Sequence, residues 1–97
     1  MPYILRQRET GQVYSCMLVN AYRLPYYGTK FWETEEAAEN EAPDFLRDQG
    51  QPEEAWVLTE VDESRLKLFN VKLRNNADWM VFYEEGKGIT AEKRPGR

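Results

Sequence analysis

The side chains that most often carry chemistry are scarce in this sequence. It contains no histidine, and its one cysteine is Cys16. Without histidine a single chain builds no Ser-His-Asp triad, no Cys-His pair and no histidine-ligated zinc. Cys16 lies between Ser15 and Met17 in an apolar stretch, the usual setting of a small buried hydrophobe. To act as a nucleophile it needs a cation beside it, and Arg6 or Arg8 across a hairpin are the candidates. Carboxylates are numerous, but Glu33, Glu35, Glu36, Glu39 and Glu41 crowd the start of one helical segment. That spacing suits a solvated helix face, whereas paired-acid catalysis needs two acids in a cleft with separated pKa values. Gly86-Lys87-Gly88 is far short of a phosphate-binding loop. From these residues we expect no enzyme, no metal site and no cofactor.

Residues suited to binding are more plentiful. Four aromatic rings fall within Leu24–Trp32, "LPYYGTKFW", around Gly28 and beside Lys30. Phe31 and Trp32 stand just before a helix start, where an apolar residue staples the first turn, so they read as structural. Tyr26 and Tyr27 sit at a bend set by Pro25 and Gly28, where a phenol keeps its hydroxyl in water. The candidate partner-binding residues are therefore Tyr14, Tyr22, Arg23, Tyr26, Tyr27 and Lys30. Tyrosine and arginine are favoured at protein interfaces because they join large contact area to a polar tip. The alternative is a single-stranded nucleic-acid module, with Tyr3 and these tyrosines stacking on bases and Arg6, Arg8, Arg23 and Lys30 meeting phosphates.

Charge is unevenly spread. The net charge of −4 divides into +3 over residues 1–32, −8 over 33–54, −2 over 55–86 and +3 over 87–97. The acidic run reads first as a solvated helix, and it also sets up a field that attracts a basic partner. The negative total weighs against nucleic acid. A single cysteine, the absence of a long apolar segment and an N-terminus without a signal-peptide pattern point to a cytoplasmic protein without a membrane partner.

The elements that would position these residues follow from periodicity. Residues 3–8 and 12–22 read as strands joined at Thr10-Gly11, an N-terminal hairpin. The second strand is apolar on both faces: Val13, Met17, Val19 and Ala21 on one, Tyr14, Cys16, Leu18 and Tyr22 on the other. With one helix available to cover a single face, a second copy of the chain is the expected cover for the other. Thr34 caps a helix that Glu35 and Glu36 open, with Ala38, Ala42, Phe45 and Leu46 inward, a kink or break at Pro43, and a stop at Gly50. Residues 55–62 and 79–85 are strands. Residues 63–76 read as a helix capped by Asp62, with Leu66, Phe69 and Leu73 inward, or as a strand; the strand is preferred. Residues 87–97 read as a flexible basic tail.

The sequence thus specifies a small single α+β domain over residues 1–86. Its antiparallel or mixed sheet comprises the N-terminal hairpin and two or three later strands, with one main helix on one face. The expected role is non-catalytic protein binding, with a partner protein or as a homodimer.

Overall fold

The computed structural model describes residues 1–95. It is an α+β domain of antiparallel strands and two helices. Its elements are β1 (Tyr3–Gln7), β2 (Ser15–Val19), β3 (Pro25–Thr29), β4 (Phe31–Trp32), α1 (Glu35–Asp48), β5 (Trp56–Glu60), α2 (Glu63–Leu73), β6 (Trp79–Glu84) and β7 (Gly88–Lys93).

β1 is central because both of its faces are apolar. Ile4 and Leu5 are buried, and alternation along a strand sends them to opposite sides. Leu5 joins Trp32, Ala38, Ala42 and Leu46 under α1. Ile4 joins Val13, Tyr27, Phe69, Leu73, Val81 and Tyr83 under α2. Each helix covers one core. Of the 12–22 face expected to need either a helix or another copy of the chain, α2 covers Val13 alone; Met17 and Val19 on that face are exposed.

β5 pairs with β1 from Tyr3↔Glu60 to Gln7↔Trp56, and β4 pairs at Tyr3↔Trp32 and Ile4↔Phe31. The expected N-terminal hairpin is short. Gln7 N–H donates to Gln12 O at 2.8 Å and Tyr14 N–H to Leu5 O at 2.9 Å. On their other side the same few residues meet β6: Val13 N–H donates to Val81 O at 2.8 Å, and Tyr83 N–H to Gly11 O at 2.9 Å. Gly11 is required at this crossing, since its φ is +80° and a Cβ there would lie 3.1 Å from Tyr83 O. The expected long strand 12–22 is therefore split. Residues 12–14 bridge β1 and β6, and β2 leaves to pair with β3.

Residues 63–73 form a helix, not the preferred strand. Asp62 Oδ1 accepts the Arg65 N–H at 2.7 Å, and the Arg65 guanidinium lies 3.1 Å from Asp62 Oδ2. Once capped, the chain buries Leu66, Phe69 and Leu73 on one helical face. α1 begins as expected, with Thr34 Oγ1 accepting the Ala37 N–H at 3.1 Å. It ends at Asp48, and Gly50 follows the Gln49 cap with a left-handed φ of 72°; Gly50 N–H reaches Arg47 O at 3.0 Å and Gln51 N–H reaches Leu46 O at 2.9 Å. It runs unbroken through Pro43. The carbonyl that Pro43 leaves without a donor belongs to exposed Glu39, where water can solvate it.

The expected tail is largely part of the fold. β7 pairs with β6 over six residues, from Trp79↔Lys93 to Glu84↔Gly88. Ile89 and Ala91 pack against the α2 core. Two alternating apolar residues were enough to join the sheet, and the domain extends past residue 86. Of the segment read as a tail, Gly96 and Arg97 lie outside the described residues.

Candidate functional site

β2 and β3 form a two-stranded ribbon, in register from Ser15↔Thr29 to Val19↔Pro25. Its tip is a three-residue loop. Asn20 N–H donates to Leu24 O at 3.0 Å, and Arg23 N–H donates to Asn20 O at 3.0 Å. The Asn20 side chain accepts the N–H groups of Tyr22 at 2.8 Å and Leu24 at 3.0 Å. Arg23 holds a left-handed φ of 62°, the place a glycine usually takes in such a loop. The tip is thus fixed by the short side chain of Asn20.

Among the described residues the inner edge of β3 meets no strand. The Asn75 side chain accepts Tyr27 N–H at 2.6 Å, and Asn70 accepts Thr29 N–H at 2.9 Å. Two amides from α2 and its C-terminal turn thereby stand in for a neighbouring strand. Gly28 is needed between them, because a Cβ would come 2.6 Å from the Tyr26 ring and 3.1 Å from Asn70 Oδ1.

Antiparallel pairing alternates the direction of the peptide groups. Tyr27 and Thr29 turn theirs toward α2, so their partners Met17 and Ser15 turn theirs away from β3. Val19 follows the same parity. Among the described residues β2 has β3 on one side only, and the peptide groups of Met17 and Val19 form its outer edge. Side chains along the ribbon are exposed as well: Met17 61%, Val19 66%, Leu24 59% and Tyr22 83%.

The six candidate residues separate into three environments. Tyr22 and Arg23 are exposed at the tip, and Tyr26 is half-buried over Gly28. Tyr27 is in the core, where Arg94 donates to its hydroxyl at 3.1 Å. Tyr14 and Lys30 belong to the α1 side. The Tyr14 ring stands edge-on to Phe45 at 5.3 Å and Trp56 at 4.9 Å, and its hydroxyl donates to Gln49 Oε1 at 3.1 Å. Burial raises its pKa. The Lys30 ammonium lies 5.0 Å from the Trp32 ring centre and 5.1 Å from that of Phe45. Tyr14, Tyr27 and Lys30 thus have packing partners within the domain. Phe31 packs on one core and Trp32 lies inside the other, in keeping with their structural reading.

Met17, Val19 and Leu24 were not among the candidates read from the sequence, where Met17 and Val19 belonged to one face of the two-sided apolar strand. Their signal was the short polar loop that turns the strand back five residues after it leaves the sheet.

Cys16 is half-buried, and burial raises its thiol pKa, with Lys30 pulling the other way. Arg6 and Arg8 do not serve it. Arg6 Nε donates to Tyr83 O at 2.7 Å and Arg8 Nε to Glu54 O at 3.0 Å. Among the described residues no cluster of three or more acidic, cysteine or histidine side chains is arranged to hold a metal. No helix there is long and apolar enough to cross a membrane.

Comparison with family models, with curated proteins and with solved structures gives no match.

Proposed function

We propose that this chain is a non-catalytic binding domain that associates with protein, in the first instance with a second copy of itself, through the outer edge of β2. The observation that carries this reading is the edge itself. Ser-Cys-Met-Leu-Val has no charge, no proline and no bulge, the devices that normally keep a free strand from pairing. Its apolar side chains at Met17 and Val19 are exposed.

Self-pairing suits this edge. An antiparallel pair about a two-fold axis at Met17 sets Met17 against its copy and Ser15 against Val19. All three positions already turn their peptide groups outward, so about six inter-chain hydrogen bonds follow. Stacking by single-stranded nucleic acid, by contrast, needs several rings on one surface. Tyr14, Tyr22, Tyr26 and Tyr27 fall in different environments, so protein is the better-supported partner.

Sedimentation equilibrium tests the reading. The wild-type protein is expected to dimerise at micromolar to high-micromolar concentration, and Val19→Lys to remain monomeric. A wild-type monomer throughout that range overturns self-association.

A further inference from the structure

α1 covers only part of its face of the sheet. Alternation places Gln7 on that face with Leu5, and Gln12 with Tyr14. The helix ends at Asp48. Past its end a hollow of about 290 Å³ is lined by Gln7, Gln12, Tyr14, Ser15, Gln51, Trp56 and Arg94. That is close to the smallest small-molecule sites, about 300 Å³. Strand pairing gives the order of these residues. Trp56 stands opposite Gln7, and Gln7 N–H reaches Gln12 O at 2.8 Å. At the far end Arg94 donates to the Tyr27 hydroxyl at 3.1 Å, and that hydroxyl lies 3.5 Å from Ser15 O.

The hollow differs in charge from the rest of this acidic chain. No carboxylate lines it, whereas three other hollows are each lined by two or three glutamates. Arg94 is half-buried, and its partners are neutral oxygens. Its Nε donates to Ala77 O at 2.7 Å and its Nη2 to the Tyr27 hydroxyl. Among the described residues it makes no ion pair. Further N–H groups of its fork remain to donate.

The glutamines add donors of the same kind. Gln7 Oε1 accepts the Thr10 hydroxyl, whose oxygen takes the Gln12 backbone N–H at 3.2 Å. Gln51 Oε1 accepts the Trp56 indole N–H at 3.4 Å, a group that only donates. Both amides therefore engage their oxygens within the chain and keep their NH2 groups as donors. The Trp56 and Tyr14 rings, 4.9 Å apart and edge to face, give the other end an aromatic wall.

We propose that this hollow binds a small organic carboxylate carrying a planar apolar body. The carboxylate meets Arg94 and the nearer glutamine NH2 groups, in charge-assisted bonds roughly twice as strong as neutral ones. The body runs toward Tyr14 and Trp56, where a flat ring packs well. One guanidinium balances one negative charge. A dianion such as phosphate stays half uncompensated in the field of a chain of net charge −4. The inference does not rest on self-association at β2.

The test titrates the full chain with benzoate and, at matched ionic strength, with benzamide, benzylammonium and inorganic phosphate. Side-chain amide and indole N–H chemical shifts are followed. Benzoate is expected to move the NH2 signals of Gln7 and Gln12 and the Trp56 indole N–H. Its dissociation constant should lie in the millimolar range, since so few atoms bind. Benzamide should bind at least about tenfold more weakly. Phosphate should bind more weakly than benzoate, and benzylammonium should not bind. Arg94→Gln should weaken benzoate by about tenfold or more. Because Arg94 also holds Ala77 O and the Tyr27 hydroxyl, Gln12→Glu serves as a second variant. Gln12 is half-buried and its side chain has no hydrogen-bond partner among the described residues. Glutamate of the same shape there should weaken benzoate at least as much, with a melting temperature close to wild type. Equal affinity for benzoate and benzamide, tighter binding of phosphate, unchanged affinity in Gln12→Glu, shifts confined to exposed lysines, or no shift at tens of millimolar benzoate would each overturn the proposal.

Discussion

The side-chain oxygen of Asn70 lies 2.9 Å from the backbone nitrogen of Thr29, so a helix side chain completes the edge of a strand. Thr29 is fully buried, and its N–H has no route to water. Asn70→Ala leaves that donor unsatisfied and is expected to cost about 1–3 kcal/mol. Asn70→Asp keeps an acceptor in place and should cost less. Urea denaturation of the two variants measures the difference. Equal losses would mean that helix packing, and not the bond to Thr29, sets the value.

The Thr29 hydroxyl is the converse case. It is buried and has no hydrogen-bond partner among the described residues. Thr29→Val keeps the branched shape, retains strand propensity and removes the desolvated oxygen. Stability is expected to rise by about 1 kcal/mol. The denaturation midpoint should move up with the denaturant slope unchanged. A fall in stability would show that the hydroxyl is satisfied in solution.

How far these features can be read from sequence depends on whether the forces are local. Thr34, Gly50 and Asp62 act on backbone groups within a few residues, so α1's ends were legible, as was Asp62 as a cap. The choice of helix or strand for 63–76 was not, because Leu66, Phe69 and Leu73 suit one pattern and Phe69, Val71 and Leu73 the other. The decision comes from distant partners: Tyr83 for Phe69, and β3 for Asn70. The strand through 12–22 looked uniform because Val13 and Met17 are both apolar. Only the crossing with β6 buries one and leaves the other 61% exposed. Of the candidate site, the bend was expected at Pro25 and Gly28, with Tyr22 still on a strand; the turn falls instead at Asn20–Leu24, where the Asn20 side chain holds it, and Pro25–Thr29 is the strand β3. The burial of Tyr27 depends on α2 and β6, far away in sequence.

Arg23 occupies a left-handed conformation that glycine adopts without steric cost. Arg23→Gly relieves about 1 kcal/mol of backbone strain, offset in part by greater freedom in the unfolded chain. The expected result is a stability equal to wild type or higher by up to about 1 kcal/mol. Thermal unfolding checks this. A large loss would assign the Arg23 side chain a structural contact in solution.

Burial raises the pKa of both Cys16 and Tyr14. The folded chain therefore holds these protons to higher pH than the unfolded chain does. Above the unfolded values, from about pH 9 upward, the unfolded state binds fewer protons and stability falls as pH rises. Below them these two groups contribute no pH dependence. The same shift makes the native thiolate scarce at neutral pH. Alkylation of Cys16 by iodoacetamide is expected to be slower in the native protein than in urea at pH 8, with a rate still climbing above pH 9. Equal rates at pH 8 would contradict the burial of this thiol.

Val19 and Val71 provide a matched pair for the proposed association. Their exposures are nearly the same, 66% and 68%, but Val19 borders the free edge of β2 and Val71 lies on the outer face of α2. If exposed apolar area alone drove self-association, lysine at either position would weaken it equally. If strand pairing at β2 drives it, only Val19→Lys places two like charges beside the shared ladder, where they must lose water to pair. Neither variant removes a buried contact, so both should stay within about 0.5 kcal/mol of wild-type stability. Sedimentation at matched concentrations is expected to give a monomer for Val19→Lys and a wild-type distribution for Val71→Lys. The reverse order would move the interface from the ribbon to α2.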